Sequence, residues 1–181
     1  MTTARLVPYQ PLDLQEPADL VAAIRQRRGG ELINLDRMLL HSTPFSRGWN
    51  AFLGEVRSHL SLDLKLRELA MCGVAVLNRA DYEFLHHSPI FIKAGGTEAQ
   101  VNALRTLGKQ VMPQGLFTAL EQDALDLTIQ MTKSIEVDRS LMKRLQDQLG
   151  NTRLVELVGV IATYNMVSRF LVALEVTPDQ H

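Results

Sequence analysis

Residues 62–96 read LDLKLRELAMCGVAVLNRADYEFLHHSPIFIKAGG, and this stretch decides the fold. Its apolar run, Leu69 to Leu77, follows Glu68 and is apolar on every side of a helix, so that helix belongs at the centre of a bundle. A second helix is predicted from about Ala80 to Lys93, stopping at Gly95-Gly96. On it Tyr82, Glu83, His86 and His87 begin to fall along one side, because positions three and four apart share a face. A carboxylate leading one buried helix and an acid with imidazoles on the next bring proton-handling groups into an apolar setting.

Outward from this pair, the whole chain reads as helices. Gly73 costs roughly 1 kcal/mol against alanine in a helix, tolerable where another helix or another subunit presses close. Pro89 cannot donate to the carbonyl of Leu85, which predicts a kink just past His86-His87. Upstream, residues 1–16 hold Pro8 and Pro11 and no periodicity, and read as an extended arm. Pro17 opens a helix with Leu20, Val21 and Ile24 inside, ended by Arg25, Arg27, Arg28 and Gly29-Gly30. Asn34 is the expected cap of a short turn through Leu35, Met38, Leu39 and Leu40. Ser42-Thr43-Pro44 opens a longer helix to about Leu60 with Phe45, Trp49, Phe52, Leu53 and Val56 as its buried face, and Ser61 is the expected cap of the central helix.

Downstream, Thr97 with Gln100 and Thr118 with Glu121 fit capping boxes. The first opens a short helix lined by Val101, Leu104 and Leu107, and the second a long one whose stripe runs from Leu120 to Ile135. Asp138 caps a further helix ending at Leu149-Gly150, and Asn151 starts a final apolar one that stops before Pro178. No two-residue alternation occurs. The expectation is an all-α fold of about eight helices, a single helical domain over residues 17–181 behind the arm at 1–16.

Composition narrows the function classes. Nineteen basic against twenty acidic residues suggest no electrostatic capture of nucleic acid or of an anionic membrane surface. One cysteine, Cys72, excludes an internal disulfide, a zinc finger and a two-thiol redox motif within the chain, and a cytoplasmic protein is expected. No run approaches roughly 18 apolar residues, so neither a membrane span nor a signal segment is expected.

The candidates for chemistry cluster on the two helices of the 62–96 stretch, with one further group near the C-terminus. Glu68, at the mouth of the apolar run, is either a desolvated carboxylate suited to shuttling protons or a surface acid paired with Lys65, Arg67 or Arg79. Glu83 and His87, four apart, form either an acid/base pair or a solvated surface pair. Tyr82 and His86 beside them are candidate substrate contacts. Glu83-x-x-His86 is half of a di-iron motif, but no second Glu-x-x-His exists, and neither metal nor cofactor is expected. Cys72 is either a thiolate activated by Glu68 or a small core residue. Asn165 and Arg169, sharing a face next to Tyr164, line a pocket or form an interface cluster.

The run RELAMCGVAVLNRADYEFLHH followed by KAGGTEAQVNAL resembles the carboxymuconolactone decarboxylase family, which includes alkylhydroperoxidase D, over roughly residues 45–110. The closing YNMVSRFLVALEV is similar to the last helix of uncharacterised members, extending the resemblance over most of the chain beyond the arm. It implies an alkylhydroperoxidase D-like helical bundle that assembles as a dimer, trimer or hexamer. In the peroxidase branch a glutamate precedes a Cys-x-x-Cys pair and a histidine. Here Glu68 falls on that glutamate and His87 on that histidine, while Ala80 and Glu83 occupy the cysteine positions, so a two-cysteine peroxidase cycle is excluded.

What remains, Glu68, Glu83 and His87, resembles the decarboxylase branch and implies a cofactor-independent lyase acting on a small carboxylated molecule. In that reading His87 moves the proton, Glu83 orients it, Glu68 relays or stabilises charge, and Arg79 or Arg169 anchors the substrate's carboxylate. Two rivals stand beside it: a one-cysteine peroxidase using Cys72, and a non-catalytic helical oligomer that binds a ligand or partner protein. Three structural expectations follow. Glu68 should lie within hydrogen-bond reach of His87, directly or through one water, and Glu83 on the same side. A homo-oligomer should bury Trp49, Phe45, Met166 and Phe170 in a subunit contact. The N-terminal arm should wrap a neighbour.

Overall fold

The computed structural model describes residues 5–179, and all its regular structure is helical: eight helices and no strand among the described residues. The described residues form two compact units, one of residues 5–59 with 173–179 and one of residues 60–172.

The first unit contains α1 (Ala18–Arg28), α2 (Asn34–Leu39) and α3 (Thr43–Ser58). Leu20, Val21 and Ile24 of α1 pack with Leu32 and Leu40, and Leu14 of the arm lies against them. Gly29 ends α1 in the left-handed conformation (φ 85°), where a side chain would be strained. Pro17 sits one position earlier than expected, as the residue before the first helical turn. Asn34 is the first residue of α2 and not its cap; the buried Asp36 accepts from the Ile33 N–H (3.4 Å) and pairs with Arg28 (2.9 Å) and Arg27 (3.4 Å). On α3 the buried arc holds Ser46, Trp49, Leu53 and Val56. Phe45 and Phe52, read as core, are 46% and 49% exposed because they sit on the edge of that arc. The arm is docked within its own unit. Its carbonyls accept from Arg25 (Leu12, 2.6 Å; Leu14, 3.1 Å) and Arg37 (Gln10, 2.6 Å), and the Tyr9 hydroxyl accepts from the Thr177 N–H at 2.9 Å. These cations satisfy backbone that a packed but irregular segment would otherwise leave unpaired.

The second unit is organised on α4 (Leu64–Leu77), with Glu68 through Ala75 buried without interruption. Around it run α5 (Asp81–Lys93), α6 (Glu98–Leu104), α7 (Ala119–Lys133) and α8 (Arg139–Ala173). A Cβ on Gly73 would come within 3.1 Å of Thr128 on α7 and 3.2 Å of Leu107, so the glycine serves the close helix approach the sequence implied. The cap of α4 is Asp63, which accepts from the Leu66 N–H at 3.1 Å. Ser61, expected in that role, is drawn away by Glu156, to which its N–H (3.0 Å) and hydroxyl (2.9 Å) both donate. The two capping boxes and the Asp138 cap form as read. Ile135 lies beyond the end of α7 and is 97% exposed. Pro89 is accommodated inside α5 without ending it. Gly150 breaks α8 (φ 72°, ψ 173°) at the position where the sequence marks one helix ending and the next beginning.

By length and composition alone α8 would suffice to cross a membrane, the one such helix among the described residues. It is a core helix: Leu157, Val160, Ile161, Tyr164, Val167, Ser168 and Leu171 are buried along it, with Arg153, Glu156 and Arg169 spaced between them.

Candidate functional site

Packing of α4 against α5 brings the two halves of the candidate set together. Glu68 lies one turn before Cys72 on α4, and Glu83 and His87 lie one turn apart on α5. Glu68 Oε2 is 2.6 Å from His87 Nδ1, and Glu83 Oε2 is 3.1 Å from His87 Nε2. Residue exposures of 4% for Glu68, 1% for Glu83 and 7% for His87 exclude the surface-pair alternatives for all three.

The Nδ1 is hydrogen-bonded to Glu68 and the Nε2 is ion-paired with Glu83, and a carboxylate at each nitrogen favours the doubly protonated imidazolium. Burial works against that charge, yet the Tyr164 phenol and the carboxylates of Glu68 and Glu83 outweigh it and hold His87 well above its ordinary value. One cation between two carboxylates leaves the cluster with a single excess negative charge. Chemically, such an arrangement can pass protons, a proton given up on one side of the ring being replaced from the other.

Tyr164 of α8, fully buried, meets the His87 ring edge-on, with centroids 4.9 Å apart and planes at 88°. The sequence grouped Tyr164 with Asn165 and Arg169 and missed this contact. The signal was there, since positions 157, 160, 161, 164, 167, 168 and 171 trace the buried stripe of α8.

The remaining candidates lie as follows. Tyr82 is buried and stacked on His86 (4.3 Å, 20°); His86 is exposed, its Nδ1 2.8 Å from the carbonyl of Tyr82, so the two form their own pair on α5. Cys72 is buried, and burial together with the charges of Glu68 and Glu83 pushes its thiol far up, which makes it a core thiol and not a thiolate. Asn165 donates to Thr132 (3.1 Å) and to the Ile161 carbonyl (3.0 Å), and accepts from Asn78 (3.0 Å) and Arg169 (2.5 Å), a cluster internal to the chain. Arg79 is exposed just past α4, at φ 57°. Among the described residues no group of three or more His, Cys, Asp or Glu side chains is disposed to hold a metal ion.

Residues 43–110, from the start of α3 past the end of α6, match the family model described as the carboxymuconolactone decarboxylase family. A crystal structure of an uncharacterized peroxidase-related protein from Silicibacter sp. TM1040 superposes with a TM-score of 0.79 at 18% identity, over 99% of this chain and 96% of that one. The alkylhydroperoxidase AhpD core structure of an uncharacterized peroxidase-related protein from Ralstonia eutropha JMP134 gives 0.74 at 16% identity, over 95% and 92%. No curated protein matches the chain. At these identities the structures speak for the fold, which is alkylhydroperoxidase D-like and helical, and the match to the carboxymuconolactone decarboxylase family model covers the segment that carries Glu68, Glu83 and His87.

Proposed function

We propose that the protein is a cofactor-independent lyase of the carboxymuconolactone decarboxylase type, acting on a small carboxylated organic molecule. The observation that carries this reading is the buried imidazole of His87 held at both nitrogens by Glu68 and Glu83. In a decarboxylation the carbon–carbon bond breaks, carbon dioxide leaves, and the electron pair stays on the substrate. The proton that quenches this pair comes from His87, whose raised pKa keeps it loaded at neutral pH, and His87 regains it through a flanking carboxylate. Glu83 orients the ring and Glu68 relays charge. Tyr82, His86 and one of Arg79 or Arg169 are the proposed substrate contacts. The test is carbon dioxide release from carboxymuconolactone and related lactone acids, with His87→Ala expected to lose about a hundredfold to ten-thousandfold in turnover. No release from any member of such a panel would sink the reading.

The rival peroxidase reading needs Cys72 as an accessible thiolate, and the buried, charge-opposed thiol speaks against it. Native protein is expected to leave a thiol probe unreacted while urea-unfolded protein reacts with one equivalent. A fast reaction of the native thiol, with turnover of hydroperoxide, would reverse the choice.

The reading includes a homo-oligomer in the cytoplasm. Of the four side chains expected at a subunit contact, Trp49 is already buried inside its own unit, while Phe45 and Met166 are 46% and 39% exposed. On α8 Val155 (70%) and Val172 (50%) add further uncovered apolar surface, and a second copy of this chain is the proposed cover. Sedimentation at micromolar concentration is expected to show a multiple of 20.3 kDa; a folded particle of 20.3 kDa defeats the proposal.

A further inference from the structure

We propose that Tyr164 is a positioning residue of the relay: set edge-on to His87, it holds the imidazole in the one orientation in which both nitrogens meet their carboxylates at once. This rests on reading the site as a proton relay.

The need for such a wall follows from the chemistry of the ring. The second side-chain torsion of histidine is broad and two-fold, so a half-turn is an accessible alternative. That half-turn puts ring carbons where the two nitrogens were and breaks the hydrogen bond to Glu68 and the ion pair with Glu83. While His87 carries both protons, Glu68 and Glu83 resist the turn. Once a proton has been passed on, the nitrogen that gave it up no longer donates, and the carboxylate on that side ceases to hold the ring. A contact that does not depend on protonation is then required.

Tyr164 supplies it. The side chain is fully buried, on a helix whose neighbouring positions Val160, Ile161, Val167 and Ser168 are also fully buried, so it cannot swing aside without disturbing the core. Its plane stands at 88° to the imidazole, and a turning ring would sweep into it. The titratable groups around His87 are Glu68 and, through its carboxylate, Cys72 on α4, Glu83 on the same helix, and Tyr164 on α8. Tyr164→Phe keeps the ring and removes only the hydroxyl, whereas Tyr164→Leu removes the ring, so the contributions of ring and hydroxyl are separable.

Tyr164→Phe and Tyr164→Leu separate them, read by nitrogen NMR of the His87 ring across pH, which needs no substrate. In wild type both ring nitrogens are expected to be protonated at neutral pH. Tyr164→Phe, which keeps the ring, should keep both N–H signals. Tyr164→Leu should lose the protected N–H signals, and on any lactone acid that is turned over it should lower kcat by about a hundredfold with KM little changed, the size of a misplaced reacting group. Should Tyr164→Leu fail to fold, Tyr164→Met, unbranched and of similar reach, carries the same test. A folded Leu or Met variant with wild-type ring signals overturns the proposal. Changed ring signals with no turnover of any lactone acid would uphold the positioning role while removing the lyase reading.

Discussion

Replacing His87 with alanine is expected to destabilise the protein by about 3–5 kcal/mol at neutral pH, the range found when one partner is removed from a buried ion pair. His87 is the cation shared by two carboxylates that are themselves 4% and 1% exposed. Without it, two negative charges face each other in an apolar interior, and one must take a proton from solvent. The pH dependence separates this from loss of packing. The folded pKa of His87 is raised, burial being outweighed by Tyr164, Glu68 and Glu83. A raised pKa contributes stability that is complete below the unfolded value of about 6.5, falls as pH rises above it, and is gone once pH has passed the folded value. Wild type therefore keeps most of this contribution at neutral pH, while the variant has been losing stability since about pH 4. In the variant a carboxylate has become the proton-binding group, so stability is lost from about pH 4 upward. The deficit should narrow at pH 5 and widen at pH 8 in urea unfolding, and Glu68→Gln with Glu83→Gln in the alanine background should recover part of it. A deficit below about 1 kcal/mol, the same at both pH values, would mean the cluster is not charged as described.

What the sequence made legible was local or forced by a short connection. The boxes at Thr97 with Gln100 and Thr118 with Glu121, and the cap at Asp138, depend on residues two or three positions away and form as read. The approach of Glu68 to His87 spans 19 positions yet was readable, because an all-apolar helix must be covered and the next helix follows after only three residues, 78–80. Ser61 and Asp63 are equally good caps in isolation; the choice between them is made by Glu156, 95 positions away, which no local pattern reveals. The same holds for the arm, whose carbonyls are claimed by Arg25 and Arg37. Tyr164 was placed with its sequence neighbours because its partner, His87, lies on a different helix.

Cys72 shows how a resemblance and a structure divide the work. Chain position alone leaves a thiol four residues after a glutamate free to be either nucleophile or filler. Depth decides it, since charging a sulfur buried beside Glu68 and Glu83 would add a third anion to a cluster that already has one excess negative charge. The thiol is thereby part of the core, beside the histidine and the two carboxylates.

Replacing Gly96 with alanine is expected to cost about 3 kcal/mol, the upper end for overpacking a rigid core site. Read from the sequence, Gly95-Gly96 is a helix stop; in the structure the two glycines have different tasks. Gly95 takes the left-handed conformation (φ 99°) that turns the chain off α5, with its N–H on the Ile92 carbonyl (3.0 Å), and has room around it, the nearest atom to a built Cβ being Lys65 Cδ at 4.0 Å. Gly96 donates to the Phe91 carbonyl (2.9 Å), and a Cβ there would fall into the ring of Phe91 itself, against Cε1, Cδ1 and Cζ. Phe91 is fully buried and has nowhere to go. Gly95→Ala meets only backbone strain, about 1–2 kcal/mol. The order of the two effects is therefore the reverse of what φ alone would give. Phe91→Leu, destabilising by itself, should make Gly96→Ala cheaper, a coupling that a double-mutant cycle in urea reads directly. If Gly95→Ala proves the more damaging, or if the cycle shows no coupling, the close approach of Gly96 to Phe91 is not what holds the turn between α5 and α6.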